Sequence, residues 1–82
     1  MLKYAYALYD VQEMELHIFA ANADVLAKDA VSAFLSQTVI PQHWASEEDA
    51  QEMLAQISAT SGPVQLQDIL EAWDFKLAMI LV

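Results

Sequence analysis

The last nine residues, Asp74-Phe75-Lys76-Leu77-Ala78-Met79-Ile80-Leu81-Val82, decide the fold of this 82-residue chain. In a strand, alternate side chains point to opposite faces, and here both faces are apolar apart from Lys76. This pattern is typical of a strand that is covered on both sides or that lies in the middle of a sheet. We therefore predict a C-terminal strand.

A helix continuing from Leu66 is the alternative, because apolar residues from there to Leu81 also fit a 3.6-residue period. We favour the strand because Asp74 can adopt the left-handed conformation that ends many helices. Phe75 would then fold back on Ile69 or Leu70.

The N-terminal third predicts two strands joined by a turn. Leu2 to Tyr9 alternates and is rich in aromatic residues. A polar turn at 10–13 follows, and 14–21 alternates again, so an antiparallel hairpin is the simplest pairing. We assign the more apolar side of the second strand to the core. That assignment places Met14, Leu16, Ile18 and Ala20 inward, and Glu15, His17 and Phe19 outward.

Helical periodicity predicts a first helix from Ala23 to Gln37, capped by Asn22 or Asp24. We expect 38–45 to be a connector, because Pro41 disfavours helical geometry at the preceding residue, Ile40.

Two further helices follow in the pattern. Ser46 and the acids after it have the form of a capping box. This second helix should bury Ala50, Met53, Leu54 and Ile57 and stop before Gly62-Pro63, its expected C-cap and breaker. A shorter third helix, from Leu66 to Trp73, leads into the terminal strand.

The predicted fold class is α+β, with the order β-β-α-α-α-β in a single globular domain over residues 1–82. A small three-stranded, mainly antiparallel sheet with helices on one face would bury all of the apolar stripes together. We expect the last strand to lie beside the first, in the order 2-1-3.

Composition limits the compartment and the class of partner. The chain has no cysteine, and its longest uncharged stretch, 30–46, contains too many polar residues to span a membrane. We therefore expect a cytoplasmic protein. Twelve acids face three lysines and no arginine, for a formal net charge of −9. Without a basic patch, neither nucleic acid nor an anionic membrane is an expected direct partner.

Motifs for catalysis and for cofactors are missing from the sequence. A single glycine, Gly62, excludes a glycine-rich phosphate loop. His17 and His43 have no metal-ligand spacing, and no serine lies in a nucleophile-elbow motif. We predict a non-enzymatic protein with no cofactor and no metal.

The acids form three groups: at the hairpin, at the start of the second helix, and along the third helix. Each group alone is compatible with helix-dipole stabilisation or with solubility, but the near absence of basic residues favours docking on a basic surface. Five core aromatic residues are expected: Tyr4, Tyr6, Phe34, Trp73 and Phe75. The predicted partner-binding residues are Glu47, Glu48, Asp49, Glu52, Asp10, Glu13, Glu15, Phe19 and Trp44.

Our leading hypothesis is an acidic inhibitor that binds the nucleic-acid-binding surface of a larger basic protein, its carboxylates standing in for phosphates. In size, charge and lack of motifs the chain resembles phage antagonists of host defence, including anti-CRISPR and anti-restriction proteins. One alternative is an antitoxin or immunity protein that neutralises a basic nuclease. Another is a structural homodimer or assembly subunit that pairs through its C-terminal strand.

Overall fold

A computed structural model describes residues 2–42 and 46–82. The order of elements is β-β-α-α-α-β, and the predicted α+β class is confirmed. The elements are β1 (Lys3–Asp10), β2 (Glu15–Asn22), α1 (Ala27–Phe34), α2 (Glu47–Ser58), α3 (Pro63–Ala72) and β3 (Phe75–Leu81).

The three strands form an antiparallel sheet in the order β2-β1-β3, as predicted. Asp74 has a φ of 65° and stands between the end of α3 and the start of β3, so the helical alternative for the C-terminus is wrong. β3 lies at the edge of the sheet, however, and not in its middle. Its second apolar face is uncovered: Ile80 and Val82 are each 66% exposed.

The register of the β1–β2 hairpin is set by its four-residue turn. Asp10 Oδ1 accepts hydrogen bonds from the backbone N–H groups of Gln12 at 3.1 Å and Glu13 at 3.2 Å. Met14 closes the turn in the left-handed region, with φ 54°. Asp10 therefore pairs with Glu15, and the same register places Phe19 opposite Tyr6.

This register makes our prediction for the faces of β2 wrong. Directly opposed residues share a face of a sheet, and the core face of β1 carries Tyr6 and Leu8, which are 1% and 0% exposed. Their partners, Phe19 and His17, therefore point inward. The residues predicted to point inward are exposed instead: Met14, Leu16, Ile18 and Ala20.

The first helix differs from prediction at both ends. It begins at Ala27, and its N-cap is Leu26, with no side-chain cap from Asn22 or Asp24. The chain then continues as a π-helical turn at Leu35–Val39 and a short 3-10 turn at Ile40–Gln42. Ile40 is helical, with φ −61° and ψ −43°. The bias against helix before proline is a preference, and the wider turn keeps Leu35 and Val39 buried.

The second helix begins as predicted. Ser46 Oγ accepts a hydrogen bond from the backbone N–H of Asp49 at 3.2 Å. Ala50, Met53 and Ile57 are buried. The helix ends at Ser58, well before Gly62, and Gly62 is the N-cap of α3 with Pro63 at its first position. The glycine–proline pair therefore starts a helix and does not cap the preceding one.

The core lies between the three helices and the inner face of the sheet. Its largest fully buried side chains come from both layers: Tyr6, Phe75, Leu8, Leu35, Met53, Ile57, Leu66, Leu70 and Val31. Tyr4, Phe34 and Trp73 pack against this cluster, so the expected aromatic core is confirmed. No residue from the other face of the sheet belongs to it. Within 2–42 and 46–82, no helix has both the length and the apolarity needed to cross a membrane.

Candidate functional site

The start of α2 carries the densest group of exposed acids. Glu47, Glu48 and Asp49 occupy its first turn and Glu52 follows one turn later, all exposed. Acids at this position are favoured because the helix dipole is positive at its N-terminus, and the Ser46 cap fixes where the turn begins. Four carboxylates are thus held on one short, ordered segment, which we call the α2 acidic turn.

The hairpin acids divide into exposed and structural ones. Glu13 and Glu15 are exposed, whereas Asp10 is only 3% exposed because its carboxylate bonds to the turn. Asp10 is therefore not available to a partner, and its predicted place on the contact surface is wrong. Sequence analysis missed a link at this end of the sheet: Gln12 Nε2 donates to Asp74 Oδ2 at 2.7 Å. This bond joins the end of α3 to the hairpin and brings Asp74 beside its acids.

The acids are not neutralised by the lysines. Among residues 2–42 and 46–82, no lysine forms an ion pair with a carboxylate, and the one acid–base contact joins His17 Nε2 to Glu15 Oε2 at 3.7 Å. Lys28 Nζ instead donates to the backbone carbonyls of Ser58 and Thr60, at 3.0 and 3.1 Å. Within the described part of the chain, the acids of the helix layer therefore have no lysine as an ion-pair partner.

The two aromatic residues proposed as partner anchors have different outcomes. Phe19 lies on the inner face, stacked on Phe34 with ring centroids 4.1 Å apart and on Tyr6 at 5.0 Å. The expected outward position of Phe19 is therefore wrong, because its ring packs at the edge of the hydrophobic core. Trp44 and the neighbouring His43 lie outside the described residues.

Three features of the described residues bear on ligand chemistry. The Tyr6 hydroxyl is buried without a hydrogen-bond partner among these residues. Burial raises the pKa of its phenol above the ordinary value, and the nearby Tyr4 adds a smaller increase. The same residues hold no group of three metal-ligating side chains. A hollow of about 310 Å³ lies between 26–28 and 60–63, but the Lys28 ammonium at its wall already bonds to carbonyl oxygens.

The outer face of the sheet is a second candidate surface, and sequence analysis did not find it. Cross-strand pairing arranges it in four rows of three residues, each row running from β2 through β1 to β3. The rows are Asn22–Lys3–Val82, Ala20–Ala5–Ile80, Ile18–Ala7–Ala78 and Leu16–Tyr9–Lys76. These twelve positions contain none of the acids and two of the three lysines. We call this surface the outer sheet face.

Comparison with known proteins identifies no relative: no protein-family model, curated protein or solved structure matches the chain. Function is therefore inferred from the chemistry and geometry of these two surfaces.

Proposed function

We propose that the protein is a non-enzymatic inhibitor in the cytoplasm that docks its acidic helix layer on the nucleic-acid-binding surface of a larger basic protein. The observation that supports this most is the unpaired charge. A net charge of −9 is spread over acids that form no lysine ion pair within 2–42 and 46–82. A solubilising surface usually intersperses both signs of charge, and this one does not.

The α2 acidic turn is the proposed centre of contact. A nucleic-acid-binding surface is lined with lysine and arginine that neutralise phosphates. Carboxylates held on a capped helical turn can accept the same hydrogen bonds, and arginine pairs with carboxylate and phosphate in similar bidentate geometry. A uniformly negative field also speeds the encounter with a basic partner.

This chemistry suits the phage anti-CRISPR and anti-restriction class and suits equally an antitoxin or immunity protein that neutralises a basic nuclease. Both are acidic proteins bound to a basic, nucleic-acid-binding partner. An adjacent reading frame encoding a toxic nuclease would identify the second case.

A matched pair of variants tests the proposal. The first changes Glu47, Glu48 and Glu52 to Gln and Asp49 to Asn. The control changes four exposed acids outside this turn by the same chemistry: Asp24, Asp29, Asp68 and Glu71. Both variants carry four fewer negative charges, so a difference between them reports position and not net charge.

Wild type and variants are used to capture proteins from nuclease-treated host lysate. We expect wild type and the control to retain a basic nucleic-acid-binding protein that added nucleic acid displaces, and the α2 variant to lose it. Equal retention by all three would contradict the α2 acidic turn as the contact. Failure of nucleic acid to displace the partner would contradict mimicry.

A further inference from the structure

We propose that the outer sheet face is the interface of a homodimer, covered by the same face of a second copy of the chain. This inference stands apart from the inhibitor proposal, because it concerns the face that the acids avoid. It also differs from pairing through the edge of β3, since here two sheets stack face to face.

The size of the exposed apolar patch is the first reason. The twelve positions of the outer sheet face, nine of them apolar or aromatic, cover roughly 400 Å², because the strands lie about 4.8 Å apart and the rows about 6.7 Å apart. Leu16, Ile18, Ile80 and Val82 stand 61% to 67% exposed on it. The largest apolar patch on an ordinary monomer covers about 300–600 Å² and is often functional, so a face of this size is a candidate interface.

The distribution of charge selects a second copy as the partner. Two chains of charge −9 repel each other wherever their acids meet. The outer sheet face contains no acid, and its charged residues, Lys3 and Lys76, lie in its first and last rows. Copies stacked through this face keep their acids outside the rows that meet. The two central rows that meet are wholly uncharged.

The pattern of large and small side chains in those central rows is self-complementary. One row runs Ala20–Ala5–Ile80 and the next runs Ile18–Ala7–Ala78. Rotation by half a turn about the centre of the patch exchanges Ile18 with Ile80. The same rotation exchanges Ala20 with Ala78, so the isoleucines lie on one diagonal of the patch and these alanines on the other. Each isoleucine therefore has an alanine at the far end of its row and another beside it on its own strand.

A dimer with two-fold symmetry needs such a self-complementary patch, because the same surface supplies both sides. If the two-fold axis runs along the strands, Ile80 of one copy lies over Ala20 of the other. If the axis runs across the strands, Ile80 lies over Ala78. In either arrangement both isoleucines meet an alanine and the faces interdigitate, as the inner faces of sandwiched sheets do.

Sedimentation velocity of the purified protein is the first measurement. We expect a mass of twice 9.2 kDa at micromolar concentration, not reduced by added salt. A monomer under these conditions would overturn the proposal. So would a dimer that dissociates as salt is raised, since an apolar interface is not weakened by screening.

Charge insertion identifies the face. Ile18→Glu and Ile80→Glu each place an acid in the interface and should raise the dimer dissociation constant about 100-fold or more. Val64→Glu is the matched control, because Val64 is 70% exposed on α3, away from the sheet. Circular dichroism must show all three folded, which is expected because the replaced side chains lie outside the core. Equal dimerisation by all three variants would overturn the proposal.

A proline separates face stacking from edge pairing. Lys3 and Val82 exchange both backbone hydrogen bonds, so the N–H of Leu81 points away from β1 toward the open edge. Leu81→Pro would block an added strand there. We expect this variant to remain dimeric, and its dissociation would favour edge pairing instead.

Paired substitutions test the packing of large on small residues. Ala20→Ile alone places two isoleucines opposite each other and should weaken the dimer. Adding Ile80→Ala should restore it if the two-fold axis runs along the strands, and adding Ile18→Ala should restore it if the axis runs across them. If neither added substitution restored the dimer, the proposed packing of isoleucine on alanine would be overturned.

Discussion

At the residue scale, Tyr6 shows how one buried polar atom shapes stability. Its ring is stacked on Phe19 at 5.0 Å, and its hydroxyl is buried without a hydrogen-bond partner among the described residues. A buried polar group without a partner costs about 1–3 kcal/mol. The ring therefore stabilises the core while the hydroxyl opposes it.

We expect Tyr6→Phe to leave the free energy of unfolding unchanged or to raise it by about 1 kcal/mol. Because burial raises the pKa of the Tyr6 phenol, the folded protein holds this proton more tightly than the unfolded chain. Wild type should therefore lose stability relative to Tyr6→Phe as pH rises above about 10 toward the folded pKa. Urea unfolding from pH 7 to 11 measures this loss. Tyr9→Phe is the control. The expected loss would be contradicted if the free energies of unfolding of wild type and Tyr6→Phe changed in parallel with pH.

At the scale of elements, the hairpin turn decides which side of β2 enters the core. A shift of one residue in the register would exchange the two faces of the strand. The carboxylate of Asp10 holds the register by accepting the N–H groups of Gln12 and Glu13. The more apolar side of β2 consequently lies on the outer sheet face.

We expect Asp10→Ala to destabilise the fold by about 2 kcal/mol, because two backbone donors lose an ionised acceptor. Asp10→Asn keeps an acceptor oxygen and should cost less than half of that. Thermal unfolding of the two variants against wild type provides the comparison. Equal losses for alanine and asparagine would mean that the turn does not depend on these bonds.

At the scale of the whole molecule, the two sides of the sheet differ in their chemistry. An acidic helix layer without lysine ion pairs, among the residues described, lies on one side of the sheet, and an acid-free apolar face lies on the other. Because the net charge is −9, the carboxylates repel one another in the compact folded state. Stability should therefore depend on ionic strength.

We expect the melting temperature to rise by several degrees between low salt and about 0.15 M sodium chloride, where the Debye length is about 8 Å. For a domain of 60–100 residues, about 1 kcal/mol moves the melting temperature by about 4–8 °C. The variant of the α2 acidic turn carries four fewer charges, so its melting temperature should respond less to added salt. Protein concentration is held constant, because dimerisation also raises stability. A melting temperature insensitive to salt would contradict the expected repulsion.

Local chemistry allowed much of the fold to be predicted. The cap at Ser46 is a hydrogen bond between residues three apart, and the left-handed Asp74 ends α3 beside a strand of period two. These features and the α+β class follow from interactions within a few residues and from apolar periodicity. The predicted strand order is correct, but it depends on pairing between residues distant in the chain. The exposed carboxylates of the α2 acidic turn follow from the same chemistry.

The features that only the tertiary structure decided depend on contacts between residues distant in the chain. Alternation shows that β2 has two faces, but the hairpin register selects the one that meets Tyr6 and Leu8. The two apolar sides of β3 suggested that both sides would be covered. In the fold, β3 pairs with β1 alone at the edge of the sheet, and one of its sides is uncovered. The outer sheet face therefore exists only once three strands are aligned. Sequence by itself determined the order of the helices and strands and the charge, while cross-strand register determined which apolar residues remain available to a second copy.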